Sequence, residues 1–304
     1  MSLESMGIKI PDNAGKINVG QSGADVFELD GSRILKHVVR DRIDNGMFDT
    51  YVKEALFYQA ECPKPYLPEV LDIEISSDEI ILVMKRYRDQ DRKSLNEELL
   101  SRIAKVLARI HSEPVPEFLA EEDMHSDVLS EGDITECVNG WKGVLDEHPG
   151  IFDPSRIEAV SRDINDIITW HDSEKRQLSH GDFHWDNILT DDKGSLIVCD
   201  WQGVGVRGAS DDLSFFISRL SADGTFADSH SFLKSYALEY NALTGESIKT
   251  EELERHIKAA NVITSFRFWH LYLHGNDTGR VRDIYDKMVF DHKGCVERYS
   301  DKCL

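Results

Sequence analysis

Asp182, Asn187 and Asp200 lie in one short stretch and have the types and spacing for phosphoryl transfer. The segment reads His180-Gly-Asp-Phe-His-Trp-Asp-Asn187, then Ile-Leu-Thr, a polar turn Asp-Asp-Lys-Gly, an apolar run Ser-Leu-Ile-Val-Cys, and Asp200-Trp201-Gln202. Residues 188–189 and 196–199 are expected to be two strands of a hairpin, joined by a connection over 191–194. With Thr190 opposite Ser195, Asn187 falls opposite Val198, and Asp200 lies two residues beyond at the same open end. Asp182 sits in the loop that feeds this end. Phosphoryl transfer needs a carboxylate to accept the proton of an attacking hydroxyl. It also needs an amide oxygen and a second carboxylate as hard ligands for magnesium on nucleotide phosphates.

The spacing His-x-Asp-x-x-x-x-Asn followed by an Asp resembles the catalytic loop and metal site of the protein-kinase-like superfamily. His-Gly-Asp-Phe-His-x-x-Asn-Ile-Leu, a hydrophobic strand and Asp-Trp resemble more closely the aminoglycoside phosphotransferase and choline kinase family of small-molecule kinases. The resemblance implies that Asp182 is the catalytic base, that Asn187 and Asp200 hold Mg2+, and that His180 supports the loop. It also implies ATP or GTP as co-substrate and an alcohol group of a small acceptor as the phosphoryl target. Leu-Ala-Arg-Ile-His-Ser at 107–112 is similar to the first helix of that family's C-lobe.

The elements that would position these groups follow from patterning. Residues 24–29 and 33–38 flank the turn Asp30-Gly31-Ser32, and 69–75 and 79–84 flank Ser76-Ser77-Asp78, so two hairpins are expected. Between them, residues 49–60 have helical spacing, with Val52, Ala55, Leu56 and Gln59 on one side and Asp49 or Thr50 as N-cap. Helices are expected over 95–111, 134–147, 154–171, 212–221, 228–241, 251–274 and 278–296. The resulting fold class is α+β and bilobal, protein-kinase-like. A small antiparallel-sheet N-lobe with one helix (1–90) would bind nucleotide, and a mainly helical C-lobe (91–304) would carry the catalytic loop and the acceptor site.

On the nucleotide side, a lysine should reach the phosphates and a helix carboxylate should fix it. Lys36 and Glu54 stand in the right order for such a pair. Gly20-Gln21-Ser22-Gly23 occupies the place of a phosphate-covering loop, where Gly20, Ser22 and Gly23 could present N–H groups to an anion. An ordinary hairpin turn has the same composition, and the segment departs from Gly-x-Gly-x-x-Gly. The base would meet the main chain around Met84, Lys85 and Tyr87.

Only ten residues separate Asp200 from Asp211, and no Ala-Pro-Glu follows, which leaves no room for a peptide-ordering activation segment. By the resemblance, Asp212 is a structural residue at the start of a helix. In the last third, Phe266, Trp269, Tyr272 and Leu273 share helical spacing. That spacing fits core packing, and equally an aromatic surface for a quaternary ammonium.

Composition excludes more than it selects. The 304 residues carry 35 Lys+Arg against 56 Asp+Glu, a net charge of −21, which disfavours nucleic acid as a partner. No apolar stretch approaches the roughly 20 residues of a membrane span, and no signal sequence opens the chain, so a cytoplasmic setting is expected. Five scattered cysteines without Cys-x-x-Cys spacing argue against disulfides or zinc. A competing possibility makes His180, Asp182, His184 and Asp186 alternating ligands of a metallohydrolase. A second is a non-catalytic kinase-like binding module, against which stands the presence of base, metal ligands and lysine together.

Overall fold

Asp30 closes the first turn: its carboxylate accepts from Ser32 N at 2.9 Å and from Arg33 Nε at 2.7 Å, folding β1 (Asp25–Asp30) onto β2 (Arg33–Val39). A computed structural model of the chain describes residues 23–91, 95–120, 128–222 and 228–296. Gly20 and Ser22 of the expected phosphate loop therefore lie outside the described residues. A second hairpin joins β3 (Val70–Ile75) to β4 (Glu79–Lys85), with Ser76 N donating to Glu79 O. Both expected hairpins are present, and the four strands form one antiparallel sheet in the order β1-β2-β4-β3.

Helix α1 (Asn45–Glu61) starts earlier than its apolar spacing suggests, because Asp44 rather than Asp49 or Thr50 caps it through Gly46 N. Its buried side is Phe48, Tyr51, Glu54, Ala55, Phe57 and Tyr58, while Leu56 and Gln59 face out. The expected side holds at Ala55 and fails at Leu56 and Gln59, since aromatic bulk and one buried carboxylate define the buried face. A two-residue strand β5 (Arg88–Asp89) follows, then α2 (Glu97–Ser112), capped by Asn96, and the single turn α3 (Glu117–Ala120).

The remaining elements are α4 (Glu131–Asp146), α5 (Ser155–His171), β6 (Arg176–Ser179), β7 (Ile188–Thr190), β8 (Leu196–Val198) and β9 (Gly205–Gly208). After them come α6 (Ala209–Ala222), α7 (Ser229–Thr244), α8 (Thr250–Thr264), a π turn (Ser265–Trp269), α9 (His270–Leu273) and α10 (Thr278–Val296). The class is α+β, a small antiparallel sheet followed by a largely helical remainder. Strands β6 and β9 were not foreseen; they are four residues each and carry no alternation. Among the described residues, no helix is long and apolar enough to cross a membrane. Cys62, Cys137, Cys199 and Cys295 are free thiols.

The chain packs as two units. Among the described residues, one lies within 23–120, 178–206 and 215–244; the other lies within 128–177, 207–214 and 245–296. The first runs well past residue 90 because α2 packs on α7, where Tyr236 and His111 Nδ1 meet at 2.8 Å. Tyr66 O also accepts from Val198 N at 2.7 Å in β8. Within it β5, β7 and β8 form a small sheet.

The second unit has its own core, with Trp141, Ile157, Ile164, Phe266 and Met288 fully buried. Ser130 and Asp133 form a capping box that starts α4. The single helix expected over 251–274 is interrupted at 265–269, where Phe266 O accepts from Trp141 Nε1 at 3.2 Å within the π turn. Phe266 and Leu273 join the core as their spacing suggests, whereas Phe268 and Tyr272 are exposed.

Glu174 of this second unit receives the N-terminus of α6: Ser210 N lies 3.2 and 3.3 Å from its two oxygens, and Ser210 Oγ donates to Oε2. Burial pushes this carboxyl up to about 7, against the Ser210 bonds and with the Asp211 charge adding to it. Between its unfolded value of about 4.3 and about 7 the folded chain keeps a proton that the unfolded chain has lost. Stability from this group is therefore complete below the lower value and lost as pH rises through the upper one, by roughly 3–4 kcal/mol. Urea midpoints taken at about pH 5 and about pH 8 should fall less in Glu174→Gln than in the parent chain; equal falls would refute the assignment.

Candidate active site

Lys36 stands on β2 opposite Val26 and Leu82, and its side chain is almost wholly buried. Its Nζ donates to Glu54 Oε2 at 2.7 Å and to Asp200 Oδ1 at 2.8 Å. The expected pair of Lys36 with Glu54 is thus present, and one ammonium serves two carboxylates. Burial alone would lower the Lys36 pKa, but Glu54 and Asp200 outweigh it and hold the value above the ordinary one. Asp200 is drawn the other way: burial opposes its charge, yet Lys36 keeps its carboxyl below the usual range. For Glu54 burial dominates and raises the value, with Lys36 opposing. Lys36 Nζ also lies 4.9 Å from the centre of the Tyr51 ring. Tyr51 was missed in the sequence, although it precedes Glu54 by three residues and so shares its helix face.

The hairpin register differs by one residue from the expected one. Ile188 pairs with Val198, Leu189 with Ile197 and Thr190 with Leu196, which sets Asn187 opposite Cys199, whose N–H donates to Asn187 O at 3.0 Å. The turn supplies the reason. Asp191 N donates to Ser195 O, while Asp191 Oδ1 accepts from Lys193 N and Ser195 N. Gly194 takes φ +84, and five residues, 191–195, stand between the paired Thr190 and Leu196 where four were expected. Asp200 consequently comes directly after the residue paired with Asn187.

Asp200 has φ 65 and ψ 63, the left-handed conformation, and it is the one non-glycine residue with positive φ among those described. Such backbone costs roughly 1–2 kcal/mol and is held only where its surroundings fix it. Trp201 supplies the fixing. It is fully buried, stacks on Phe57 of α1 at 4.4 Å between ring centres and lies 4.6 Å from His180. Its N–H donates to Glu54 Oε1 at 3.2 Å and its Nε1 to Val198 O at 2.9 Å. Gln202 Nε2 donates to Asp200 Oδ1.

In the loop before β7, Asn187 Nδ2 donates to Asp182 O at 2.9 Å and to Asp182 Oδ2 at 3.3 Å. That orientation commits the amide nitrogen to Asp182 and turns Oδ1, a hard oxygen donor, away from it. Asp182 keeps 44% of its side chain exposed, enough to meet a substrate. His180 is fully buried; its Nδ1 accepts from Asp182 N at 3.2 Å and its Nε2 lies 3.0 Å from Cys199 O. Both ring nitrogens thus serve the loop backbone, which removes His180 from any metal set. Among the described residues, no three His, Cys, Asp or Glu side chains gather to hold a metal. Magnesium asks for less from the protein, commonly one or two side-chain oxygens beside phosphate and water.

The other nucleotide-side residues are less distinctive. Gly23 has φ +77, and a Cβ there would lie 2.5 Å from Ile43 Cγ2, so packing alone already demands glycine. Met84 pairs with both Ile34 and Val70 inside the sheet. Lys85 N donates to Glu69 O and Arg86 N to Ser32 O, so these two N–H groups are already used. Tyr87 Oη accepts from Glu69 N at 2.9 Å.

The chain belongs to the phosphotransferase enzyme family, whose model matches residues 47–247, about two thirds of the sequence. It is accordingly a phosphotransferase acting on hydroxyl groups. Among solved structures the fold is similar to that of the ADP-bound aminoglycoside phosphotransferase APH(2'')-Ib, at 16% identity and TM-score 0.56 over 95% of each chain. It is also similar to choline kinase LicA from Streptococcus pneumoniae, at 14% identity and TM-score 0.54 over 96% of each chain. Plasmodium vivax ethanolamine kinase matches at 12% identity and TM-score 0.56, over 92% of this chain and 82% of that one. At these identities the likeness is one of fold. No curated protein sequence matches the chain.

Removing Lys36 would leave Glu54 and Asp200 without their shared counter-charge. Lys36→Met should lower unfolding free energy by about 3–5 kcal/mol, and adding Glu54→Gln should return part of it. Urea denaturation of the two variants checks this; an unchanged midpoint for Lys36→Met would refute it.

Proposed function

We propose that the chain transfers the γ-phosphoryl group of ATP or GTP to a hydroxyl of a small, amino-containing acceptor such as an aminoglycoside, choline or an amino sugar. The observation that carries this is the joining of Lys36, Glu54 and Asp200 in one buried cluster, where Asp200 follows Cys199, which bonds to Asn187, and Asn187 in turn holds Asp182 in the loop before the hairpin. Asp182 orients the acceptor hydroxyl and takes its proton. Lys36, held by Glu54, meets the nucleotide phosphates and offsets charge as the phosphoryl group moves.

Asn187 Oδ1 and Asp200 fit Mg2+, being hard oxygens in the number that cation commonly takes from a protein. When bound it neutralises phosphate charge. Gly20, Ser22 and Gly23 would cover the phosphates, and the main chain of Met84, Lys85 and Tyr87 would border the base, leaving aside the N–H of Lys85 that the sheet employs. Residues 1–90 then form the nucleotide-binding part and 91–304 carry the catalytic loop and acceptor helices. A cytoplasmic setting, where nucleoside triphosphates are held, agrees with this chemistry. The ADP of one fold neighbour and the amine-bearing acceptors named for the three support the choice of substrates. A net charge of −21 favours a cationic acceptor over a polyanion.

The test is a magnesium-dependent phosphorylation screen with ATP and GTP over aminoglycosides, choline, ethanolamine and amino sugars. Asp182→Asn should lower turnover by at least about 100-fold while nucleotide binding, followed by calorimetry, persists. Full turnover by that variant on its best acceptor would sink the base assignment. Binding without turnover on any acceptor in the parent chain would favour a non-catalytic module.

A further inference from the structure

Both ring nitrogens of His184 have defined neighbours. It caps the short 3-10 turn Trp185–Asn187, with Nδ1 accepting from Asp186 N at 3.3 Å. A ring nitrogen that accepts carries no proton, so the neutral imidazole holds its proton on Nε2. Nε2 lies 3.5 Å from Asp182 Oδ2. Asn187 Nδ2 donates to this same oxygen at 3.3 Å. Asn187 therefore donates to Oδ2, His184 Nε2 stands 3.5 Å from the same oxygen, and neither engages Oδ1, which is left to a substrate.

The ring itself is well held. Its edge meets Phe215 of α6 at 6.0 Å between centres and 71°, and its side chain is 15% exposed against 44% for Asp182. Asp186 Oδ2, 3.7 Å from Nδ1, makes no hydrogen bond to that unprotonated nitrogen and has Arg219 Nη2 at 3.9 Å. We propose that His184 is a positioning residue for Asp182, directing its Nε2–H at Oδ2 so that Oδ1 is presented to the acceptor hydroxyl. This rests on Asp182 being the base. A carboxylate free to rotate would spend less time with an oxygen in line with the proton it must take, which lowers turnover rather than nucleotide binding.

Two substitutions separate this role from simple capping. Asn is a good N-cap and can accept from Asp186 N, but its amide is too short to reach Asp182. Gln gives up the cap and places an amide nitrogen near the position of Nε2. In assays with magnesium and ATP, with the best acceptor from the screen or with water as acceptor, His184→Asn should lose about 10- to 100-fold in kcat. Its KM for ATP should be unchanged, and His184→Gln, compared at equal folded fraction, should recover most of the loss. Parental kcat in His184→Asn, or a Gln variant no faster than the Asn variant, would overturn the proposal. Asp182→Asn in the same assay keeps the two ideas apart. Parental turnover there removes the base assignment itself, whereas an inactive Asp182→Asn beside a fully active His184→Asn removes only the positioning role.

Discussion

One buried ammonium shared by two carboxylates is the constraint on which the site depends. Burying a charge costs several kcal/mol unless it is paired and hydrogen-bonded, so Lys36, Glu54 and Asp200 are tolerated only together. They come from three places in the sequence: a strand, a helix and the end of a hairpin. Satisfying Lys36 therefore fixes β2 against α1 and both against the hairpin. With two carboxylates and one ammonium, the cluster retains a negative charge, which suits the binding of a further cation beside it.

Trp201 turns that electrostatic constraint into a packed one. Its ring stacks on Phe57, its indole N–H satisfies Val198 O, and its backbone N–H reaches the second oxygen of Glu54. The same side chain lies beside His180, which in turn ties Cys199 O to Asp182 N. Packing and hydrogen bonding thus run unbroken from α1 to the proposed base. They also account for how Asp200 is kept in a left-handed backbone that its own side chain disfavours.

Much of this was legible in the sequence, and the failures have definite causes. The hairpins of the small sheet were legible because Asp30-Gly31-Ser32 and Ser76-Ser77-Asp78 are turn formers between alternating runs. The Asp191 turn was recognised too, but its register was not, because whether Asp191 closes the loop with Ser195 depends on hydrogen bonds to its own carboxylate. On α1 the helical spacing pointed to Val52, Ala55, Leu56 and Gln59, of which Ala55 is buried, while the buried side also includes Glu54, whose burial depends on a lysine 18 residues earlier. In the second unit, Trp141 meets Phe266 O across 125 residues, and the π turn there has no local signal.

The sequence by itself determined the chemistry available: a carboxylate, an amide and a second carboxylate at catalytic-loop spacing, preceded by a lysine and a helix glutamate. It could do so because such groups must be of particular types in a particular order. Only the tertiary structure decided how they are held. That Lys36 serves Asp200 as well as Glu54, that Trp201 anchors the end of the hairpin, and that His184 faces Asp182 are matters of distance between residues. Distance is set by packing and by buried charge seeking partners, and neither can be read from residue types alone.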